Sequence, residues 1–197
     1  MAETFVTTDR LILRDWRAGD SDRFYDIMNT PAVMQHLGGL QTREQWAAAH
    51  QRILGFERDH GHSFWIVEDR AAGDMLGFCG IKRVNAPGAG MLTGQHEIGW
   101  RLREAAWGRG IAKEAAIASL DLAFGRLAAP HMLSMTIPAN LPSQGLMHRL
   151  GMSRRADLDF EDTRFGPELN PALIWRLDAD HWPAARAAAL APRGPGS

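Results

Sequence analysis

The sequence has very little cysteine, and this scarcity excludes two classes of protein. Cys79 is the single cysteine in 197 residues. One cysteine cannot build an internal disulfide framework, and it rules out a zinc site made of paired cysteines. The surrounding sequence, MLGFCGI, is apolar, so we interpret Cys79 as a small buried residue.

Long apolar runs and an excess of one charge are lacking as well. No stretch approaches the roughly 20 apolar residues that span a membrane, and the N-terminal segment MAETFVTTDR lacks the apolar core of a signal peptide. We therefore expect a cytoplasmic protein. There are 22 Lys and Arg against 23 Asp and Glu, which gives a net charge of -1. This balance argues against nucleic acid and membrane surfaces as partners.

The composition is typical of one globular domain. Its 197 residues are 45% hydrophobic and 23% charged, which is enough for a sizeable core. We place this domain over residues 1–182. Residues 183–197 contain AARAAALA and then PRGPGS, which predict a frayed helix followed by a disordered end.

Residues 97–122 predict a strand, a turn and a helix in direct succession. Polar and apolar residues alternate from 97 to 102, whereas apolar residues recur at helical spacing from Ile111 to Leu122. Between the two lies the turn Gly108-Arg109-Gly110. Such a turn leaves backbone N–H groups bare at the positive end of a helix. The segment therefore predicts an anion site, most naturally for phosphate.

Two familiar phosphate-binding motifs do not fit this turn. Lys113 is followed by Glu114 rather than by Ser or Thr, so the turn is not a P-loop. Lys113 also stands where a Rossmann fingerprint needs its third glycine, and no strand with a terminal acid follows at the expected distance. These mismatches disfavour a nucleotide-binding regulator.

The turn resembles the acetyl-CoA-binding segment of the GCN5-related N-acetyltransferases (GNATs), whose pattern is Q/R-x-x-G-x-G/A. Residues 107–112, WGRGIA, supply the six positions, with Trp107 in place of Gln or Arg. This form with tryptophan is similar to the RimJ/RimL-like branch of that family. Taken alone, the six residues are equally compatible with a plain glycine turn before an amphipathic helix.

Two further segments carry the same resemblance. Residues 8–14, TDRLILR, are similar to the first strand of the RimJ/RimL-type enzymes. Residues 140–152, NLPSQGLMHRLGM, contain the N-x-x-S, short helix and Leu-Gly-Met of the family's final helix. Three matches in the same order make coincidence a poor explanation, and the resemblance covers about residues 7–182.

The resemblance implies an α/β (α+β) fold, a single GNAT-like domain with a mixed central sheet. We expect about six to seven strands, flanked by about four helices, with a splayed parallel central pair formed by the strands at Glu97 and Met132. Pro31 is predicted to end the first helix, and Thr42 with Gln45 forms a capping box that starts the second. Strand patterns occur near Leu11 and at residues 62–68, 75–84, 97–102, 130–137, 152–156 and 171–177.

The resemblance also implies an acetyl-CoA-dependent N-acetyltransferase without a metal, in which a primary amine attacks the thioester directly. The amine is either a protein N-terminal α-amine or a small molecule, and a homodimer stays open. The residues implied to bind acetyl-CoA are Trp100, Leu102, Trp107, Gly108, Arg109, Gly110, Ile111, Ala112, Asn140 and Ser143. The alternative is a catalytically silent acyl-CoA-binding module with a regulatory or partner-binding role.

Acyl transfer to an amine needs a group that removes the amine proton. Glu97 is our prediction for this base, because a carboxylate in a partly desolvated cleft binds protons more readily. The side chain of His96 is expected on the opposite face of the strand, so it cannot point into the same cleft as Glu97. His62 and His148 are the alternatives.

The same reaction needs a hydrogen-bond donor for the departing thiolate. Many family members carry a tyrosine in the last helix at the position of Met147, and the single tyrosine of this chain is Tyr25, in the first helix. Ser143 is therefore our prediction for the donor, with Asn140 orienting the cofactor amide. Ser143 is also explained structurally as an N-cap or first-turn residue.

Overall fold

A mixed eight-stranded sheet organises the fold, and the computed structural model describes it within residues 4–191. Its strands are β1 (Thr4–Thr7), β2 (Leu11–Arg14), β3 (Phe64–Asp69), β4 (Met75–Arg83), β5 (His96–Leu102), β6 (His131–Thr136), β7 (Ser153–Arg154) and β8 (Leu173–Asp178). Their order across the sheet is β1-β2-β3-β4-β5-β6-β8-β7. Neighbouring strands are antiparallel except β5 and β6, which are parallel. The predicted mixed sheet with a parallel central pair is confirmed.

The sheet has one strand more than the upper limit of our prediction, and the additional strand is β1. It pairs with β2 at the edge of the sheet. Four residues are too few for an alternating pattern to be recognised in the sequence. The strand is held by tertiary contacts instead, since the ring of Phe5 stacks on Trp65 with 4.7 Å between centroids.

Six α-helices flank the sheet within residues 4–191, two more than expected. They are α1 (Asp20–Met28), α2 (Pro31–Met34), α3 (Arg43–His60), α4 (Ile111–Gly125), α5 (Leu141–Arg149) and α6 (Trp182–Leu190). Pro31 was predicted to end α1. Helix α1 instead ends at Met28, and Pro31 opens the short helix α2. A proline is favourable in a first helical turn because its missing N–H would have no partner there. The capping box of Thr42 and Gln45 at the start of α3 is confirmed.

Helix α6 corrects the prediction of a frayed helix from residue 183. Trp182 and Ala189 are buried in the main core cluster. The indole of Trp182 donates to Asp121 of α4 at 2.9 Å, and Lys113 donates to the carbonyl of Ala189 at 2.9 Å. These contacts dock α6 on α4, so the packed domain extends beyond residue 182. Residues 192–197, predicted to be disordered, lie outside the described residues.

The two faces of the sheet are covered by different helices. Because side chains alternate along a strand, Cys79 of β4 faces α4 whereas Phe78 faces α1 and α3. We call these the α4 face and the α1/α3 face. On the α1/α3 face the register of β4 and β5 pairs Phe78 with Arg101, Gly80 with Gly99 and Lys82 with Glu97. Glu97 and Arg101 therefore belong to the same face.

Candidate active site

A glycine turn joins β5 to α4 and leaves a helix start open. Gly108 and Gly110 have φ of 70° and 76°, which glycine adopts without steric cost. Gly110 is the N-cap of α4 and has no side chain to cap the helix. The first intrahelical bond runs from Glu114 N to the carbonyl of Gly110 at 3.1 Å, so the N–H groups of the first turn have no partner inside the helix. This arrangement is suited to a phosphate.

Arg10 supports the turn from the neighbouring part of the sheet. Its guanidinium donates to the carbonyl of Arg109 at 2.9 Å and forms an ion pair with Glu114 at 2.6 Å. Burial alone would raise the pKa of Glu114, but hydrogen bonds from Thr8 and Arg10 outweigh it and lower that pKa. The segment of residues 8–14 thus contacts the turn directly, which connects two of the matching motifs.

A cleft with a volume of about 1060 Å³ runs beside the turn, and we call it the main cleft. Among the residues predicted to bind acetyl-CoA, it is lined by Trp100, Leu102, Trp107, Gly108, Gly110, Ile111, Ala112, Asn140 and Ser143. Arg109 is the exception. Its exposed side chain does not line the cleft, and it donates to the carbonyl of Ala105 at 3.4 Å.

Besides Arg101, the main cleft contains four cations that our sequence analysis did not assign to the site. Arg10, Lys113, Arg149 and Arg186 line it. Asp9, Glu114 and Asp121 line the same cleft, but the cationic side chains outnumber them, and an excess of one charge attracts an oppositely charged ligand. The positions of the four cations in the chain show no common spacing, since they come from β2 and three different helices or their flanks. The sequence therefore gave no signal that they share one cleft.

The central strands part along the main cleft. The parallel pairing of β5 and β6 is recorded at Glu97 and Leu133, and the hydroxyl of Ser134 donates to the carbonyl of Ile98 at 3.1 Å. Beyond this point β5 continues to pair with β4 on its other side. Residues 99–102 of β5 thus offer peptide groups to an extended ligand lying between the strands.

A second cavity of about 350 Å³, the lateral pocket, opens on the α1/α3 face. Aromatic residues line it, namely Trp46, Phe56, Phe64, Phe78, Trp100 and Phe165, and so do six charged residues, Arg52, Lys82, Glu97, Arg101, Asp162 and Arg164. His36, Leu37, Trp100, Arg101, Asn140 and Ser143 line both cavities. The main cleft and the lateral pocket therefore meet at these six residues, which we call the junction.

Glu97 lies in the lateral pocket, where it is paired rather than isolated. It is only 8% exposed, and its carboxylate accepts from the ammonium of Lys82, its cross-strand neighbour. Asp162 and Arg164 form a second pair, with 2.9 Å between Nε and Oδ1. The hydrogen bond from Arg164 to Asp162 raises the pKa of Arg164, and the charge of Glu97 adds to that rise. The two ion pairs are thus electrostatic neighbours.

Asn140 and Ser143 lie at the junction with distinct structural roles. Asn140 is the N-cap of α5, and its Oδ1 accepts from the backbone N–H of Ser143 at 3.2 Å. Ser143 is the third residue of the helix and not its N-cap, so the first-turn alternative is the one that holds. Within residues 4–191 no hydrogen bond engages the Ser143 hydroxyl, which leaves it available to a ligand.

The two histidines considered as alternative bases do not line either cavity. His62 is buried, its Nδ1 lies 2.9 Å from the carbonyl of Ile81, and burial lowers its pKa. His148 is exposed on α5. His36 does line both cavities, but it follows the short helix α2 in an irregular segment that carries no recognisable motif. Our sequence analysis therefore missed it.

Tyr25 lies away from both cavities, whereas Met147 lines one of them. Tyr25 donates to the carbonyl of Gln41 at 2.9 Å, between α1 and α3, and lines neither cavity. Met147 is buried and lines the lateral pocket. The side chain at the position of the family's tyrosine thus offers no proton.

Two features are absent from the part of the chain that the structure describes. No helix between residues 4 and 191 is long and apolar enough to cross a membrane. In the same span, no three His, Cys, Asp or Glu side chains are grouped so that they could hold a metal ion.

Comparison with known proteins agrees with this geometry. The family model of the acetyltransferase (GNAT) domain matches residues 10–153. The uncharacterized protein YkkB of Bacillus subtilis (strain 168) is 35% identical over 156 residues, which cover 77% of this chain and 86% of YkkB. The crystal structure of an acetyltransferase from Agrobacterium tumefaciens str. C58 is 26% identical, with a TM-score of 0.72 and coverage of 87% of this chain and 92% of that chain.

A more distant neighbour shares the fold alone. RimL, described as a ribosomal L7/L12 alpha-N-protein acetyltransferase, is 12% identical with a TM-score of 0.69, and the match covers 90% of this chain and 95% of RimL. The family match, by contrast, spans most of the sheet, the glycine turn and α5. The chain therefore belongs to the GNAT acetyltransferase family and is an acyltransferase.

Proposed function

We propose that the protein transfers an acetyl group from acetyl-CoA to a primary amine by direct attack in a ternary complex. The observation that supports this is the junction, where the main cleft and the lateral pocket meet at Asn140 and Ser143. Two substrates bound from two sides would bring their reacting atoms together there. A covalent enzyme intermediate is not needed. Cys79 is fully buried, and burial raises its pKa to about 12.

The main cleft fits acetyl-CoA as co-substrate, which is the donor that the GNAT family uses. The open N–H groups after Gly110 and the guanidinium of Arg10 suit the pyrophosphate. The exposed peptide groups of residues 99–102 suit the amide-containing arm that leads to the thioester. The thioester then lies at the junction, within reach of the Ser143 hydroxyl.

The lateral pocket binds the acceptor amine and contains the residue that removes its proton. Glu97 accepts a proton from the amine, directly or through water, and the neutral nitrogen attacks the thioester carbonyl carbon. A C–N bond forms and the C–S bond breaks. The departing thiolate accepts a hydrogen bond from Ser143 and takes up, through water, the proton that the attacking nitrogen loses as the amide forms. Lys82 keeps the Glu97 carboxylate in one orientation on the pocket wall.

Placement in the RimJ/RimL-like branch, a cytoplasmic location and a homodimer remain predictions. The acceptor in the proposal is a protein N-terminal α-amine or a small-molecule amine. A silent acyl-CoA-binding module would need neither Glu97 nor Ser143. Both residues lie in the lateral pocket, which favours an acceptor site over silent binding.

Thiol release from acetyl-CoA in the presence of a broad amine panel tests the proposal. We expect turnover with at least one amine, and Glu97→Gln should lower it by about 10² or more while acetyl-CoA affinity changes by a few-fold at most. Glu161→Gln, at an exposed glutamate outside both cavities, is the matched control. Acetyl-CoA binding without thiol release from any amine would support the silent module. If the turnover of Glu97→Gln stays within a factor of a few of the wild-type value, His36 becomes the candidate for the base.

A further inference from the structure

Arg101 is a cation at the junction without a counterion. The side chain is half-buried, and its Nε is cut off from solvent without a hydrogen-bond partner. No acidic side chain within residues 4–191 forms an ion pair with it, whereas Lys82 pairs with Glu97 and Arg164 with Asp162 in the same pocket. Burial lowers the pKa of Arg101 to about 10, so the guanidinium stays charged at neutral pH. A half-buried charge with an unpaired donor is unfavourable unless a ligand compensates it.

The Arg101 guanidinium is held in place by an aromatic stack. Arg101 is the cross-strand neighbour of Phe78, and its guanidinium carbon lies 5.3 Å from the centroid of that ring. Phe78 is stacked in turn on Phe24 and Phe64, with centroid distances of 5.3 and 4.6 Å. A cation over a ring face gains some electrostatic stabilisation, but its N–H donors stay unused. The stack therefore positions the donors without satisfying them.

Arg101 belongs to the acceptor side of the site. It shares the α1/α3 face with Glu97, and the residue between them on that face is Gly99. Gly99 has no side chain, and the Phe64 ring packs over it, since a Cβ there would lie 3.0 Å from that ring. The Phe64 ring therefore lines the pocket between the ion pair and Arg101. The phosphate-binding turn, by contrast, lies seven residues further along the chain.

The chemistry of Arg101 favours a carboxylate. A guanidinium presents a planar fork of N–H donors that matches the two oxygens of a carboxylate. Because Arg101 lines both cavities, a carboxylate bound to it would lie at the junction, close to the point of acyl transfer. The amine of the same acceptor must then be only a few bonds from its carboxylate. A protein N-terminus does not meet this condition, since a peptide bond follows its amine.

We propose that Arg101 binds the carboxylate of a free amino acid, which makes the acceptor that amino acid and not a protein N-terminus. This inference rests on the proposed function. The aromatic residues Trp46, Phe56 and Phe165 that line the pocket provide apolar surface for the acceptor's side chain. Arg101 thereby sets acceptor specificity, while Glu97 and Ser143 act on the reacting atoms.

Kinetics with the twenty L-amino acids and their matching amides test this assignment. The wild type should acetylate at least one amino acid with a kcat/KM about 10-fold or more above that of its amide. Arg101→Gln should lower kcat/KM for the amino acid by about 10- to 100-fold, mainly through KM, because a charged hydrogen-bonded pair is lost. The amide and the KM for acetyl-CoA should change by a few-fold at most.

Two further variants separate specificity from folding. Arg101→Lys keeps the charge without the fork and should retain part of the preference for the amino acid. Arg126→Gln, at an exposed arginine at the end of α4 that lines neither cavity, should behave as the wild type. Equal use of amino acids and amides, or an Arg101→Gln effect on acetyl-CoA instead, would overturn the assignment while leaving the proposed acetyl transfer intact.

A binding measurement covers the case in which no amine releases thiol. Calorimetry with CoA and N-acetyl-L-phenylalanine, a product-like probe, should show binding that Arg101→Gln weakens by at least 10-fold. The amide of the same probe should bind the two proteins alike. Equal binding of acid and amide by the wild type would exclude carboxylate recognition at Arg101. Absence of thiol release would count against the proposed function alone.

Discussion

Ser143 lies in the first turn of α5, and the helix does not depend on it for capping. Asn140 supplies the cap through its Oδ1, and the Ser143 contribution to that contact is its backbone N–H. Removing the Ser143 hydroxyl therefore leaves the capping hydrogen bond unchanged. Any large effect of such a change on turnover must come from the chemistry at the junction.

Ser143→Ala should lower turnover by about 10- to 10³-fold, because one preorganised donor to a developing anion has that order of effect. Stability should change little, since the Asn140 cap remains. Ser143→Asp should fold well, because an acidic residue is favourable in a first helical turn, but its charge should oppose the departing thiolate. Melting temperature and turnover are measured on the same preparations.

Ser153→Ala serves as the control for loss of a hydroxyl, since Ser153 is exposed on β7. A fully active Ser143→Asp enzyme would remove Ser143 from the mechanism. An Ala variant that loses melting temperature and activity in proportion would show that the serine acts through stability, contrary to what the cap geometry indicates.

The residues that our sequence analysis found at the site differ in kind from those it missed. Glu97 and Ser143 were found because each belongs to a segment with a family motif. Arg101 and Lys82 were missed because nothing in a strand sequence tells a surface cation from one in a pocket. Their positions arise from cross-strand register, which places Lys82 beside Glu97 and Arg101 beside Phe78.

At the scale of elements, the proposed function assigns the donor side of the site to the segment from β5 through the turn to α4. Gly110 has φ of 76°, and a Cβ added there would meet the Arg10 guanidinium at 3.6 Å, an ordinary contact distance. A side chain at this position is strained by the backbone but not excluded by its neighbours. Its charge can therefore be tested separately from its shape.

Gly110→Asp should weaken acetyl-CoA binding by at least 10-fold relative to Gly110→Asn, which corresponds to about 1.4 kcal/mol. Asn and Asp have nearly the same shape, and both tolerate a left-handed backbone, so the comparison isolates a negative charge placed where phosphate is expected. Calorimetry with acetyl-CoA on folded proteins is the measurement. Equal affinities of the two variants would show that the turn does not hold the phosphates.

Elements with strong local signals were predicted well, and elements held by tertiary contacts were not. The capping box at Thr42 and the change of period around Gly108 are encoded within a few residues, so α3, β5 and α4 followed from the sequence. Helix α6 has an alanine-rich sequence without an obvious apolar face. It is docked by Trp182 and by the Lys113 contact to Ala189, which depend on α4 lying alongside.

At the scale of the whole molecule, several buried or half-buried histidines make stability depend on pH. Burial lowers the pKa of His50, His62 and His131, and burial together with the nearby Arg83 charge lowers the pKa of His96 to about 4. A histidine whose folded pKa lies below its unfolded value of about 6.5 stabilises the fold above that value. Its contribution is lost as pH falls from 6.5 toward the folded pKa.

Carboxylates respond in a separate pH window. Folding lowers the pKa values of Glu114 and Asp162, although burial alone would raise them. Glu114 accepts hydrogen bonds from Thr8 and Arg10, and Asp162 accepts them from Arg164. These hydrogen bonds outweigh the effect of burial. Their contributions to stability are lost only as pH falls below the unfolded values of about 4. A loss of stability between pH 6.5 and pH 5 therefore reports on the histidines.

The free energy of unfolding should fall when the pH is lowered from 7.5 to 5.0, and His96 should account for about 2 kcal/mol of that fall. Urea titrations of the wild type and His96→Asn at both pH values measure it, with His148→Asn as the control at an exposed histidine. His96→Asn should be less stable than the wild type at pH 7.5 but lose less on acidification. A wild type with equal stability at both pH values would contradict the buried, neutral state of these side chains. A His96→Asn variant that loses as much as the wild type would assign the pH dependence to His62 and the other buried histidines.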